Sequence, residues 1–247
     1  MKPTKPLGGK SYGSIPHLPG SRRGPGDYGL EEGQARVLVE RTRDRHDRVI
    51  VEEKVDGSNV GAARIDGGIV AVTRSGYPAD TSPFAQHLVW AEWVLEHEAR
   101  FLDVLNDGER LCGEWLYQAH GTRYDLPHEP FVAFDLMRGT ERLPHDALDG
   151  RLSGVFTRPA VLHDGGALSV DVAMALLGEH GHHGAIDPAE GAVWRLERHE
   201  EIAHGTRGSA REWRVMMLAK YVRPSKVDGA YLESVTGGGP VLNSWRT

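Results

Sequence analysis

The stretch VEEKVDGSNVGAARI, residues 51–65, decides how this chain reads. Val49, Val51 and Val55 fall on odd positions of one apolar run, Val60 to Ile65 forms a second, and Ile69 to Thr73 a third. Runs rich in β-branched residues, punctuated by DGSN and then DGG, predict an antiparallel meander of three short strands. Lys54 stands two residues before the first of these turns. The plainest account of it is a snorkelling surface lysine. The sharper one is a covalent nucleophile, a task amines perform when a neighbouring cation or a dry pocket lowers their pKa. From an unperturbed pKa near 10.4, making the neutral amine at pH 7 costs about 4.6 kcal/mol, so a nucleophilic lysine needs help from its surroundings.

Outward from this stretch the pattern stays mixed. Thr81-Ser82-Pro83 opens a long helical segment, with Ser82 as cap, Pro83 in the first position, and Phe84, Leu88, Ala91, Leu95 and Leu102 as its buried stripe. Strands return as RLCGEWL (110–116) and FVAFDLM (131–137), and a shorter helix runs from near Ser169 to Gly178. GAVWRLER (191–198) and EWRVMMLAKYVRP (212–224) read as two further strands. The expected class is α+β, mostly antiparallel sheets flanked by helices, without regular βαβ alternation. No internal repeat stands out. The expected division is a Gly/Pro-rich N-terminal arm over 1–33, a main domain over 34–224 and a C-terminal tail over 225–247. The arm is either a disordered segment or a loop docked on the body.

A formal net charge of -6 argues against a generally basic nucleic-acid coat protein, so any polyanion site must be a local patch. Arg22, Arg23 and the arginines between 36 and 48 could build one, although Glu40, Asp44 and Asp47 offset them. The single cysteine, Cys112, rules out an internal disulfide and a thiolate cluster and suits a reducing compartment. No apolar run approaches a membrane span and the N-terminus lacks a secretory stretch, so the expected location is cytoplasmic.

Several residues that could serve a nucleophilic lysine sit at strand ends: Arg74 in TRSG, Glu114 in GEWLY, Phe134 in FVAFD, Glu190 in EGAV and Lys220 in AKYVRP. Each alone has a dull explanation, as polar alternation, core or exposed strand residue. Taken in order with KVDGSN, they resemble the motif series of the covalent nucleotidyltransferase superfamily, which includes polynucleotide ligases and messenger-RNA capping enzymes. The loop YQAHGTRYDLPHEP and the SIPHLPGSR…GPGD arm are most similar to ATP-dependent RNA ligases of the phage and bacterial repair type.

That resemblance implies a nucleotidyltransferase (adenylation) domain, ATP and Mg²⁺ or Mn²⁺ as cofactors, and a nucleic-acid partner, RNA rather than DNA. It implies Lys54 as the residue that takes up AMP, Lys220 against the α-phosphate, and Glu190 as a metal carboxylate. Glu114 would accept from a ribose hydroxyl, Arg74 would contact phosphate or ribose, and Phe134 and Val193 would sandwich the base. After Asp56, Gly57 would supply positive φ and a close backbone approach, and Asn59 a hydrogen bond to ribose or to the turn. The fifth motif departs from the usual K-x-K. If Lys220 is the second lysine, Leu218 holds the first place; if it is the first, Val222 holds the second and Arg223 substitutes from a neighbouring register. Arg223 and Lys226 are therefore further candidates.

The 24 residues after Arg223 are too few for the OB domain that DNA ligases and capping enzymes usually carry, so no C-terminal OB domain is expected. A DNA ligase, a capping-type nucleotidyltransferase and a non-catalytic RNA-binding relative stay open as alternatives. His180, His182 and His183, with His163, His120 and His128, read as exposed side chains and not as a metal site.

Overall fold

The computed structural model describes residues 3–203 and 209–246. In chain order these form α1 (Glu32–Val39), β1 (Asp47–Lys54), β2 (Ser58–Ile65), β3 (Gly68–Thr73), α2 (Ala85–Glu96), α3 (Glu98–Val104), β4 (Glu109–Trp115) and β5 (Asp125–Leu126). They continue as β6 (Phe131–Arg138), β7 (Glu141–Arg142), α4 (His145–Leu152), β8 (Val161–Gly165), α5 (Val170–Leu177), β9 (Gly191–Ala203), β10 (Ser209–Val222), α6 (Glu233–Thr236) and β11 (Ser244–Trp245). Two sheets carry the architecture, one ordered β10-β9-β1-β8 and one ordered β3-β2-β4-β6-β7, with every pairing antiparallel. The α+β expectation holds.

The expected meander does not form as a single unit. β2 and β3 do make a hairpin, closed by Asp66 and Gly67 at φ 51 and 84, the two positive values that a two-residue primed turn demands. β1, however, pairs with β8 and β9, while β2 pairs with β3 and β4. The DGSN segment is therefore a crossing from one sheet to the other, not a hairpin turn. Gly57 is needed there for closeness, since a Cβ would come within 2.6 Å of the Trp115 carbonyl oxygen and 2.8 Å of Leu116 Cδ2. Its φ is not among the positive values, so handedness is not the reason.

The long helix also differs from expectation. It starts at Ala85 after Phe84 and is interrupted at His97, giving α2 and α3. Phe84, Leu88 and Leu95 are exposed, and the buried side chains are Gln86, Trp90, Val94, Phe101 and Val104. Trp90 sets this register: its ring lies 4.6 Å from Phe131 and 5.2 Å from Trp115, and its Nε1 donates to the Gly61 carbonyl at 3.1 Å. Burying an indole with its N–H satisfied outweighs burying leucines one register away.

Helices α2, α3 and α4 cover one face of the five-stranded sheet, with Trp115, Phe131 and Leu136 in that core. The four-stranded sheet places Val49, Val51, Trp194 and Ala219 against Leu18, Leu38 and Ala173. α5 begins and ends as expected, with Ser169 Oγ accepting the Val172 N–H at 3.4 Å and Gly178 at φ 69 stopping it. The arm is docked: the Lys220 N–H donates to Pro16 O at 2.9 Å and the Leu18 N–H donates to Lys220 O at 2.8 Å, continuing the sheet past β10. In the tail, β11 pairs parallel with β5.

Candidate active site

The two sheets leave a cleft between them, and strand alternation decides which side chains enter it. On β1, Val49 and Val51 point into the outer core while Glu52 and Lys54 line the cleft, which Glu53 and Val55 also border at the strand end; on β9, Trp194 and Leu196 go outward while Val193 and Arg195 line it. β6 adds an exception to alternation. Its register with β4 runs from Cys112↔Asp135 to Gly113↔Ala133, so Phe134 is an unpaired bulge residue. The bulge lets the consecutive side chains of Phe134 and Asp135 both reach the cleft.

Lys54 ends β1 directly opposite Gly191, the first residue of β9. Glu190, one residue earlier, thereby meets the Lys54 ammonium in a hydrogen-bonded ion pair. The Glu190 backbone is fixed in turn by the Arg223 N–H, which donates to Glu190 O at 2.9 Å. Glu114 stands beside this pair on β4 and accepts the Gly57 N–H at 3.2 Å. Burial, helped by the negative charges of Glu190 and Asp56, pushes the Glu114 carboxyl up to about 7. Burial pulls the Lys54 pKa down, but Glu190, Glu114 and Asp56 outweigh it and hold the amine above its ordinary value. With these neighbours Lys54 is thus a charged ammonium, the reverse of the depressed pKa that a nucleophile needs.

Lys220, Arg74, Asn59, Phe134 and Val193 line the same cleft. Lys220 lies close enough to Lys54 for mutual repulsion. Burial first, and then Lys54, lower its pKa. Asn59 Oδ1 is buried without a partner, an acceptor left over for a hydroxyl or amino donor. Arg74 donates to Ser14 Oγ at 3.0 Å.

Three residues take other places. Asp56 is not among the cleft-lining groups: it accepts the Gly121 N–H at 2.8 Å and pairs with the buried Lys226 ammonium at 3.0 Å. Lys226 also donates to Thr122 Oγ1. The Arg223 guanidinium is bonded to the Gly178 carbonyl and is not among the cleft-lining groups.

Residues 47–213 match the model of the RNA ligase family. The chain belongs to that family.

Three further comparisons give more distant likenesses. A stretch of 99 residues is 32% identical to an uncharacterized protein of Methanocaldococcus jannaschii, covering 39% of this chain and 21% of that one. A Naegleria gruberi RNA ligase mutant solved with ATP and Mn superposes with a TM-score of 0.51 at 15% identity, over 96% of this chain and 64% of that one. An archaeal ATP-dependent RNA ligase gives a TM-score of 0.43 at 23% identity, over 76% and 46%. The chain therefore spans about a fifth of the curated relative and about half to two thirds of these solved structures.

This RNA ligase family member also uses residues that its sequence did not advertise. Asp135 is fully buried and accepts from Tyr12 Oη at 2.6 Å, from Arg142 Nε at 3.1 Å and from Arg195. Arg195 continues the network to Glu52 and Glu197, and Arg158 closes it at 2.8 Å from Glu52. Of these groups Tyr12, Glu52, Asp135 and Arg195 line the cleft, and Tyr12 meets the Phe134 ring edge-on at 5.0 Å. Scattered over the chain at no motif spacing, they have no sequence signal apart from Asp135 itself.

Two histidine expectations change. His183 is buried, with burial pulling its pKa down to about 3; its Nδ1 lies 2.7 Å from His128 Nε2 and its Nε2 accepts the Ala160 N–H at 3.2 Å. His120 bonds to Gln86 Oε1 at 3.1 Å beside the cleft. The proposed basic strip is also partly spent. Arg48 is held by Asp146 at 2.9 Å and Glu197 at 3.0 Å under the Trp213 ring, and Arg22 pairs with Asp228.

Proposed function

We propose that this chain is an ATP-dependent RNA ligase in which Lys54 carries AMP as a covalent intermediate. The observation that supports this reading best is the convergence of Lys54, Glu190 and Lys220 in one cleft with Asn59, Arg74, Glu114, Phe134 and Val193. In the first step the Lys54 amine attacks the α-phosphorus of ATP. The N–P bond forms, the P–O bond to pyrophosphate breaks, and the amine proton has to leave. Glu190, in contact with the ammonium and itself shifted upward by burial, is the group placed to take it. A 5′-phosphate oxygen then displaces Lys54 from AMP, and a 3′-hydroxyl finally displaces AMP and seals the strand. All three are displacements at phosphorus, where positioning and charge neutralisation carry most of the catalysis, and Lys220 and Arg74 supply cations at the cleft wall.

Phe134 and Val193 both line the cleft, and in this reading adenine lies with one face on the aromatic ring and the other on the methyl pair. Glu190 and Glu114 are both shifted upward, by burial first and, against the opposing pull of Lys54, by neighbouring carboxylates, so that three acidic groups share one ammonium. That donor set of oxygens suits Mg²⁺ or Mn²⁺, and these two carboxylates would hold the ion, which supplies charge neutralisation at the phosphates. ATP and Mn are also what the Naegleria gruberi ligase mutant was solved with. Family membership favours RNA over DNA as the polymer.

The test is to incubate the protein with Mg²⁺ and ATP labelled at the α-phosphate and to look for label on the denatured protein. An acid-labile adduct that disappears in Lys54→Ala is expected, and its absence in the unaltered protein would sink the reading. Nicked RNA and nicked DNA duplexes, offered in parallel, then decide the polymer.

A further inference from the structure

Lys220 is gripped from the arm as well as from its own strand. Its backbone N–H and C=O both bond to the arm, at Pro16 and Leu18. Its ammonium lies 3.6 Å from Asp27 Oδ1, on the GPGD segment that follows. The other Asp27 oxygen, Oδ2, accepts the Gly24 N–H at 3.0 Å and lies 3.1 Å from Nε2 of His17, which is buried. His17 Nδ1 is 2.7 Å from Ser21 Oγ, which also accepts the Val222 N–H at 2.9 Å. The Ser21 hydroxyl has two acceptors in reach, His17 Nδ1 and the Arg22 carbonyl at 3.3 Å, and His17 Nε2 stands against the Asp27 carboxylate as a close pair without an aligned hydrogen bond. Asp27 is thereby fixed on the side away from Lys220 and offers its free oxygen to the ammonium.

We propose that Asp27, held by His17 and Ser21, is a positioning residue for Lys220, and that the N-terminal arm is a working part of the adenylation site. This rests on the ligase reading for its consequence but not for its geometry. The groups facing Lys220 are Lys54, Glu190, Arg74, Asp27 and His17. Lys54 and Arg74 repel its proton, and Asp27 and Glu190 favour it. Without the Asp27 charge, the repulsion is opposed by Glu190 alone and the lysine is free to swing on its four-carbon stem. Asp27 is partly exposed in a loop, so replacing it removes this contact without opening a core.

The experiment compares the unaltered protein with Asp27→Asn and Asp27→Glu in two measurements. One is the pH midpoint for reductive methylation of Lys220, resolved by peptide mass spectrometry without ATP. The other is the single-turnover rate of adduct formation from labelled ATP across the alkaline range. In Asp27→Asn the Lys220 midpoint is expected to fall by about one pH unit and the alkaline limb of adduct formation to move with it. On the alkaline limb, at a pH above both midpoints, the rate should fall about tenfold, with the ATP concentration for half-maximal rate changed far less and Asp27→Glu recovering most of the loss. An unshifted midpoint, or an Asp27→Asn protein that adenylates within twofold of the unaltered one, overturns the proposal. If the unaltered protein forms no adduct, the ligase reading fails, while the methylation midpoint still decides whether Asp27 governs Lys220.

Discussion

Lys54 and Glu190, 136 residues apart, meet because β1 and β9 pair in a register that sets Lys54 opposite Gly191. The pair is the electrostatic centre of the cleft, and it has two faces. As a salt bridge it compensates a buried carboxylate and holds the amine protonated; in the mechanism proposed above the same contact gives the departing amine proton an acceptor.

Replacing Lys54 separates these roles. Lys54→Arg keeps a cation beside Glu190 but lacks a nucleophilic amine, so it should fold normally and take up no AMP. Lys54→Met strands the carboxylates and should cost about 1–3 kcal/mol at pH 7. With the ammonium gone, Glu190 and Glu114 bind protons more tightly in the folded than in the unfolded chain, so stability should recover as pH falls toward 5. Urea melts of the three proteins at both pH values provide the check.

Glu114 gives a second pH signature. Its folded pKa, about 7, lies above the ordinary carboxylate value, so the folded state holds a proton that the unfolded chain has already released. Stability from this group is therefore lost as pH rises through that window. Glu114→Gln should match the unaltered protein near pH 5 and exceed it by about 1–2 kcal/mol at pH 8, after allowance for partial solvent access. Thermal melts across that range measure the difference.

Asp135 has the opposite sign. Burial opposes its ionisation, but Arg195 and Arg142 hold its pKa below the usual carboxylate value. Its contribution is present above the unfolded carboxylate pKa and is lost as pH falls through the lower folded one. Asp135→Ala leaves Arg195, 1% exposed, without its shortest partner. A loss of about 3 kcal/mol or more is expected at pH 7, shrinking in acid. Denaturant midpoints at neutral and acid pH decide this.

Gly57 and Gly191 should both resist alanine. At Gly57 the added Cβ meets the Trp115 carbonyl at 2.6 Å, and at Gly191 it runs into the Tyr221 carbonyl on β10. Each substitution is expected to cost about 1–3 kcal/mol. Gly191→Ala should lower AMP uptake further than its stability loss explains, since the shift displaces Glu190 and β10 together. Adduct formation, measured well below the melting temperature, separates the two effects.

The sequence by itself determined the class of fold, most strand positions, the α5 caps and the residues of the motif series. Those are properties of local order: β-branched runs, turn dipeptides and a lysine followed by Asp56 and Gly57 are readable within a few neighbours. Tertiary structure alone decided that the DGSN segment crosses between sheets, because pairing partners such as Lys54 and Gly191 lie far apart in the chain. It also decided that Trp90 and not Leu88 faces the core, that Arg48 is sequestered beneath Trp213, and that His183 is buried. Each of those outcomes depends on what a side chain meets across space, and a charge or ring has no preference until that partner is in place.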